Sequence, residues 1–299
     1  MPLLRRVADP ADDPAARRCR SPVGQPAGDR RTEEGTRMST SDHGPARIDH
    51  RAAVAAESAR FVSAAKGADL AAPVPSCPGW TLADLVKHAG SVQRWFAVLL
   101  RQRIQERPLS RDVDLRLPEH QDGYVDWLAA SAAEAAEVFA TTDSDAPMWA
   151  WGADQHAGFW IRRMLFETLV HRVDAELALG ADPVIDRALA VDGVDEFLVN
   201  LPYAAPFAPK TALLRGTDRT VRFSCTDGDG DWLVRLRPDG FGPEANGPEA
   251  KELPADATVR GAAADLLLLV YGRLDRTADR FELLGDQELL AHWFANSEF

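Results

Sequence analysis

Apolar positions recur at helical spacing through most of the chain up to about residue 200, and alternate singly only beyond it. From Arg47 to Lys66 the chain is alanine-rich, with Ile48, Val54, Phe61 and Val62 as its larger apolar side chains. That pattern predicts a helix ended near Gly67. Pro73 to Trp80 reads as a rigid turn, set by three prolines and a glycine. Thr81, with Asp84 three residues on, is a capping-box start for a second helix. Leu82, Leu85, Val86, Ala89, Val92 and Phe96 form its apolar stripe, and His88 stands close to it. Arg101 to Glu119 is polar and reads as a loop, and Gln121 to Thr142 as a third helix. Thr141 to Gly158 is a loop carrying Met148, Trp149 and Trp151, and Trp160 to Gly180 is a fourth helix. Four such helices with mixed connections predict a bundle.

The pattern then changes. Val184 to Asn200 fits one more helix, followed by a proline-rich crossover from Leu201 to Pro209. Thr220 to Thr226 and Trp232 to Arg237 alternate about the turn Asp227-Gly-Asp-Gly230, which predicts a hairpin. Thr258 to Arg260 is a short strand, and Gly261 to Arg273 and Asp286 to Ala295 are helices. The fold class expected is mainly α plus a small α+β unit. Residues 46–182 make the helical bundle and residues 183–299 the C-terminal α+β domain. Residues 1–45 are polar and rich in Arg, Asp, Pro and Gly, a composition that buries no core and reads as a disordered extension. Met38 opens a stretch resembling an ordinary protein start.

Composition narrows the classes. A net charge of −12 argues against a nucleic-acid partner. Cys19, Cys77 and Cys225 are few, odd in number and widely spaced, which suits a reducing cytoplasm rather than a disulfide framework. The greasiest run, Ala262 to Tyr271, is far short of the roughly 20 residues a membrane span needs.

The candidate chemistry lies in the fourth helix. Glu167 and His171 are four residues apart, so both side chains share a helix face at about 6 Å between Cβ atoms. A carboxylate and an imidazole so placed suit one divalent metal, with His88 as candidate third ligand and His156 in reserve. Facing each other across a bundle, His88, Glu167 and His171 form a set that suits Zn²⁺ with an open fourth position. Each also has a plainer reading: an ion pair on a helix, or a core histidine satisfied by hydrogen bonds. Asp174 either orients the His171 imidazole or pairs with Arg172 or Arg163. Cys77, ahead of the second helix, reads as a small residue packed in a turn. Asp227, Asp229 and Asp231 mimic a calcium loop but lack its glycine and final glutamate, with Trp232 and Pro238 at those places. Trp149, Trp151 and Trp160 read as core, with a pocket roof as the alternative.

Pro75-Ser-Cys-Pro-Gly-Trp-Thr-Leu-Ala-Asp-Leu-Val-Lys-His88, followed by Arg163-Met-Leu-Phe-Glu-Thr-Leu-Val-His-Arg-Val-Asp-Ala-Glu176, resembles the mycothiol-dependent maleylpyruvate isomerase family. The resemblance runs from about Ile48 to Trp293. It implies a DinB-like four-helix bundle joined to a small α+β domain. It also implies metal binding, usually zinc, at the positions of His88, Glu167 and His171. The metal would hold the sulfur of mycothiol as thiolate. In the isomerase that thiolate adds to a cis double bond, rotation follows, and elimination gives the trans product; other superfamily members transfer the thiol to an electrophile. The expected protein is therefore a cytoplasmic enzyme, monomer or homodimer, taking a small-molecule thiol and an electrophile, with no membrane and no nucleic acid as partner. The alternative is a non-catalytic metal- or thiol-binding regulatory module. Arg94, Arg162, Arg163 and Arg222 are the arginines available to anchor an anionic substrate.

Overall fold

The computed structural model describes residues 48–108, 113–244 and 253–298. The expected N-terminal extension, with Met38, lies outside the described residues. Helix α1 spans His50–Ala65, α2 Leu82–Gln102, α3 Tyr124–Thr141 and α4 Ala157–Ala178. Asp49 caps α1 by accepting from the N–H groups of Arg51 and Ala52. At α2 the capping box closes in both directions between Thr81 and Asp84. Helix α1 packs on α4 and α3, and α2 on α3 and α4, so these helices surround a shared interior. All six residues of the expected α2 stripe are buried. Gly90 lets α3 approach closely, because a Cβ there would fall 2.3 Å from the Trp127 ring.

Helix α5, Arg187–Asn200, follows and packs against α6, Ala263–Val270. Strands β1 Arg219–Cys225, β2 Asp231–Arg237, β3 Gly240–Pro243, β4 Ala257–Gly261 and β5 Glu282–Gly285 form one sheet in the order β3-β2-β1-β4-β5. The expected hairpin is β1–β2, with Val221 opposite Val234, and β4 runs parallel to β1. The edge strands β3 and β5 escaped the sequence pattern. Gly-Phe-Gly-Pro and Glu-Leu-Leu-Gly are too short to show alternation, and tertiary pairing defines them. Helix α7, Gln287–Asn296, closes the sheet, with Trp293 against Phe223 and Phe241.

The aspartates of the β1–β2 turn serve the scaffold. Asp227 accepts from the Ala263 N–H at the start of α6, and Asp231 pairs with Arg222. One buried apolar cluster runs from Val54 and Phe96 through Trp160 and Phe166 to Phe197, Phe223 and Trp293, and a second gathers Phe61, Leu82, Leu85, Val86 and Leu128. Trp160 belongs to the first: the residue is fully buried, surrounded by Trp95, Phe96, Trp149 and Phe159, and donates to the Trp149 carbonyl at 2.8 Å. It is a core residue, not a roof. Among the described residues, no helix is long and apolar enough to cross a membrane.

Candidate metal centre

Helix α4 is buried over most of its length, so its polar side chains must find partners inside the protein. Helix α2 faces it and brings His88 to Glu167 and His171. His88 Nε2 lies 3.2 Å from Glu167 Oε1, and His171 Nε2 lies 3.3 Å from the same oxygen. The two imidazoles meet edge to face with ring centres 4.7 Å apart. One ligand-type atom from each of the three lies within 4.8 Å of the others. Trp80, from the proline turn, sets its ring edge-on to His88 at 5.1 Å.

Two chains of contacts support this set. His171 Nδ1 and Asp174 Oδ2 are 2.8 Å apart. Asp174 is fully buried, accepts from Ser76 Oγ at 2.6 Å, and receives two N–H groups of Arg273 at 2.7 and 3.0 Å. Asp174 thus orients the imidazole, and its counterion is Arg273. The alternative pairing with Arg172 or Arg163 is not formed. Arg172 pairs with Glu57 and Glu176, and Arg163 with Glu167 and Glu196. On the other side, Arg163 donates to Glu167 Oε2 at 3.2 Å. Both chains reach the end of α6, where Tyr271 and Arg273 flank Gly272. There Arg273 N–H bonds to the Leu268 carbonyl and Gly272 N–H to that of Leu269, the paired closure of a helix end. Gly272 takes φ +70°, which points its two neighbours back at α4.

The electrostatics follow from these partners. Burial alone would raise the Glu167 carboxyl, but its close contacts with His171 and His88 and the charge of Arg163 hold it well below the usual range. Burial pushes His88 down, toward the neutral imidazole. Burial also opposes charge on His171, yet Asp174 and Glu167 outweigh it and raise that group. His171 Nε2 is buried and has no hydrogen-bond partner among the described residues. With Nδ1 committed to Asp174, that nitrogen faces the Glu167 oxygen across a gap that asks for a cation or a proton.

Other expected positions fall elsewhere. His156 pairs with Asp154 at the start of α4, about 16 Å up the helix from Glu167 by helical rise, and is not a reserve ligand. Arg94 bonds Ser131 and Glu134, Arg162 pairs with Asp192 and Asp195, and Arg222 with Asp231. Cys77 is half-buried, with Sγ 3.8 Å from Asp174 Oδ2 and 3.9 Å from Arg273 Nη2. Burial first, and then the Asp174 charge, push its thiol up, against a role as a ready nucleophile. Sequence reasoning missed Arg273, Tyr271 and Glu196, which carry no local signal at all. It gave Trp80 no role at the site, although Trp80 closes the Pro-Gly-Trp motif.

Two family models match the chain. The mycothiol maleylpyruvate isomerase N-terminal domain covers residues 51–176 and the C-terminal domain of the same family covers residues 188–292. The chain belongs to the mycothiol maleylpyruvate isomerase family. Membership places it among enzymes. In fold it is similar to a crystal structure of the mycothiol-dependent maleylpyruvate isomerase, with TM-score 0.52 and 14% identity over 79% of this chain and 91% of the other. A histidine-to-alanine mutant of that enzyme matches at TM-score 0.53, with the same identity and coverage. No curated protein matches the chain.

Proposed function

We propose that this family member is a mycothiol-dependent enzyme whose thiol cofactor is activated at a divalent metal, zinc above all, held by His88, Glu167 and His171. The observation that carries the reading is the buried His171 Nε2, which lies 3.3 Å from Glu167 Oε1 without forming a hydrogen bond to it. The spacing also fits. Two ligands at about 2.0–2.1 Å from one tetrahedral ion stand about 3.3 Å apart, and the two imidazole nitrogens lie 3.2 and 3.3 Å from Glu167 Oε1. Two imidazoles and one carboxylate form a donor set suited to zinc with a fourth position left open.

When bound, the cation supplies positive charge that keeps a thiol sulfur deprotonated at neutral pH. The protein's own groups do the rest. Asp174 accepts the Nδ1 proton of His171 and so leaves the Nε2 lone pair facing the site. Arg163 occupies Oε2 of Glu167 and leaves Oε1 toward the two histidines. Trp80 packs its ring edge-on against His88. Neither His156 nor Asp174 offers a fourth ligand: the first is paired at the far end of α4 and the second is spent on His171 Nδ1 and Arg273. That removes two candidates for a closed four-ligand site, and the enzyme reading is supported by family membership. The reaction class is cis–trans isomerisation of a maleylpyruvate-like dianion, or S-transfer to an electrophile. Residues 46–182 then form the metal-binding domain and residues 183–299 the second. A reducing cytoplasm suits Cys77 and Cys225, both free thiols.

The test is metal analysis of the purified protein followed by assays with mycothiol, using maleylpyruvate and a panel of electrophiles. About one zinc per chain and mycothiol-dependent turnover, both lost in His171→Ala, are expected. Full turnover in His171→Ala would overturn the reading.

A further inference from the structure

The guanidinium of Arg163 sits between two buried carboxylates, Glu167 at 3.2 Å and Glu196 at 2.7 Å. Left to itself, an arginine beside a single carboxylate forms a two-pronged pair and occupies both oxygens. Arg163 does not do so here. Its Nη1 is held by Glu196 Oε2 and, at 2.8 Å, by the Tyr271 hydroxyl, and only Nη2 reaches Glu167. Tyr271 in turn donates to Glu196 Oε2 at 3.1 Å, and its ring lies 5.6 Å from the guanidinium carbon. Glu196 is fixed from behind by Asn200 Nδ2, which bonds its Oε1 at 3.2 Å. These groups are buried, so water offers them no alternative partner.

We propose that Glu196 of α5 and Tyr271 at the end of α6 are positioning residues that restrain Arg163, so that Glu167 keeps Oε1 free for the metal. The inference rests on the metal reading of His88, Glu167 and His171. It assigns to α5 and the end of α6 a task at a site whose ligands all lie on α2 and α4. Removing the Glu196 charge lets Arg163 turn its second N–H onto Glu167, and the arginine then competes with the metal for the carboxylate.

The experiment measures zinc affinity by competition with a chromophoric chelator, with no thiol or substrate present. Glu196→Gln should weaken zinc binding by about 10-fold or more, the usual scale for loss of a supporting contact. Tyr271→Phe should act in the same direction and less. The deciding variant is Arg163→Met in the Glu196→Gln background. With the competitor gone, affinity should recover several-fold relative to Glu196→Gln but not fully, because Arg163 also holds Glu167 Oε2, whereas a merely structural role for Glu196 predicts no rescue. Unchanged affinity in Glu196→Gln, or a double variant no better than the single, overturns the proposal. A crystal structure of metal-free Glu196→Gln separates this idea from the metal reading. Both Arg163 nitrogens on Glu167 are expected, and an unmoved Arg163 sinks the restraint whether or not the wild-type protein takes up zinc. Failure of the wild-type protein to take up any divalent metal sinks the metal reading alone.

Discussion

Arg273→Met tests whether the end of α6 holds the His171 side of the site. The substitution keeps the apolar stem and removes the guanidinium. Asp174 has no exposed side-chain surface and Arg273 only 7%. After the change, the carboxylate keeps Ser76 Oγ and His171 Nδ1 but loses two charged donors at 2.7 and 3.0 Å. Removing one partner of a buried pair costs about 3–5 kcal/mol, because the other charge stays buried and unpaired. For a chain of this size that corresponds to a melting point lower by roughly 6–20 °C. Urea unfolding with an unchanged slope is the assay. Adding Asp174→Asn removes the stranded charge, so the double variant should recover about 1–3 kcal/mol relative to Arg273→Met. Zinc affinity in Arg273→Met should fall by about 10-fold, since the acceptor that orients His171 is loosened. A loss below about 1 kcal/mol, or a double variant less stable than the single, would refute the reasoning.

Gly90→Ala places a methyl 2.3 Å from the Trp127 ring and should cost about 1–3 kcal/mol in thermal or urea unfolding. Thr81→Ala removes the capping box of α2 and should cost about 1 kcal/mol by the same measure, with zinc stoichiometry unchanged. The Asp192 carboxyl is opposed by burial but held below its ordinary range by His50 and Arg162. Because its folded value is depressed, its stabilisation is present above the unfolded value of about 4 and is lost as pH falls below it. Asp192→Asn should therefore flatten the fall in melting temperature from pH 5 to pH 3, and an unchanged profile would show that the contact contributes nothing.

What the chain shows on its face is what depends on near neighbours. The α2 stripe, its capping box and the Glu167–His171 spacing all repeat within one or two turns, and each is where the pattern places it. The β1–β2 hairpin is legible because seven-residue strands flank a Gly-rich turn. The edge strands are four residues each and are defined by the strands beside them. His88 is a different case. It stands 79 positions from Glu167, so local spacing could offer it only as a candidate third ligand, and the resemblance added that the two share a site. Arg273 stands 99 positions from Asp174, and neither pattern nor resemblance singled it out.

Helix geometry explains why α4 needs help from outside. At about 100° per residue, Arg163, Glu167, His171 and Asp174 fall within about 80° of one another, while Arg172 points to the opposite side. Arg172 accordingly meets Glu57 on α1 and leaves Asp174 alone. Arg163 shares the face of Asp174 but lies about 16 Å up the axis, three turns away, and is taken by Glu167 and Glu196. The stripe therefore carries one more buried carboxylate than its own cations can balance. Charge left unpaired in that interior is costly, so a cation must arrive from another element, and the turn after α6 supplies it as Arg273. His171 is thus oriented by a pair within α4, and that pair is in turn anchored by a contact from the turn after α6.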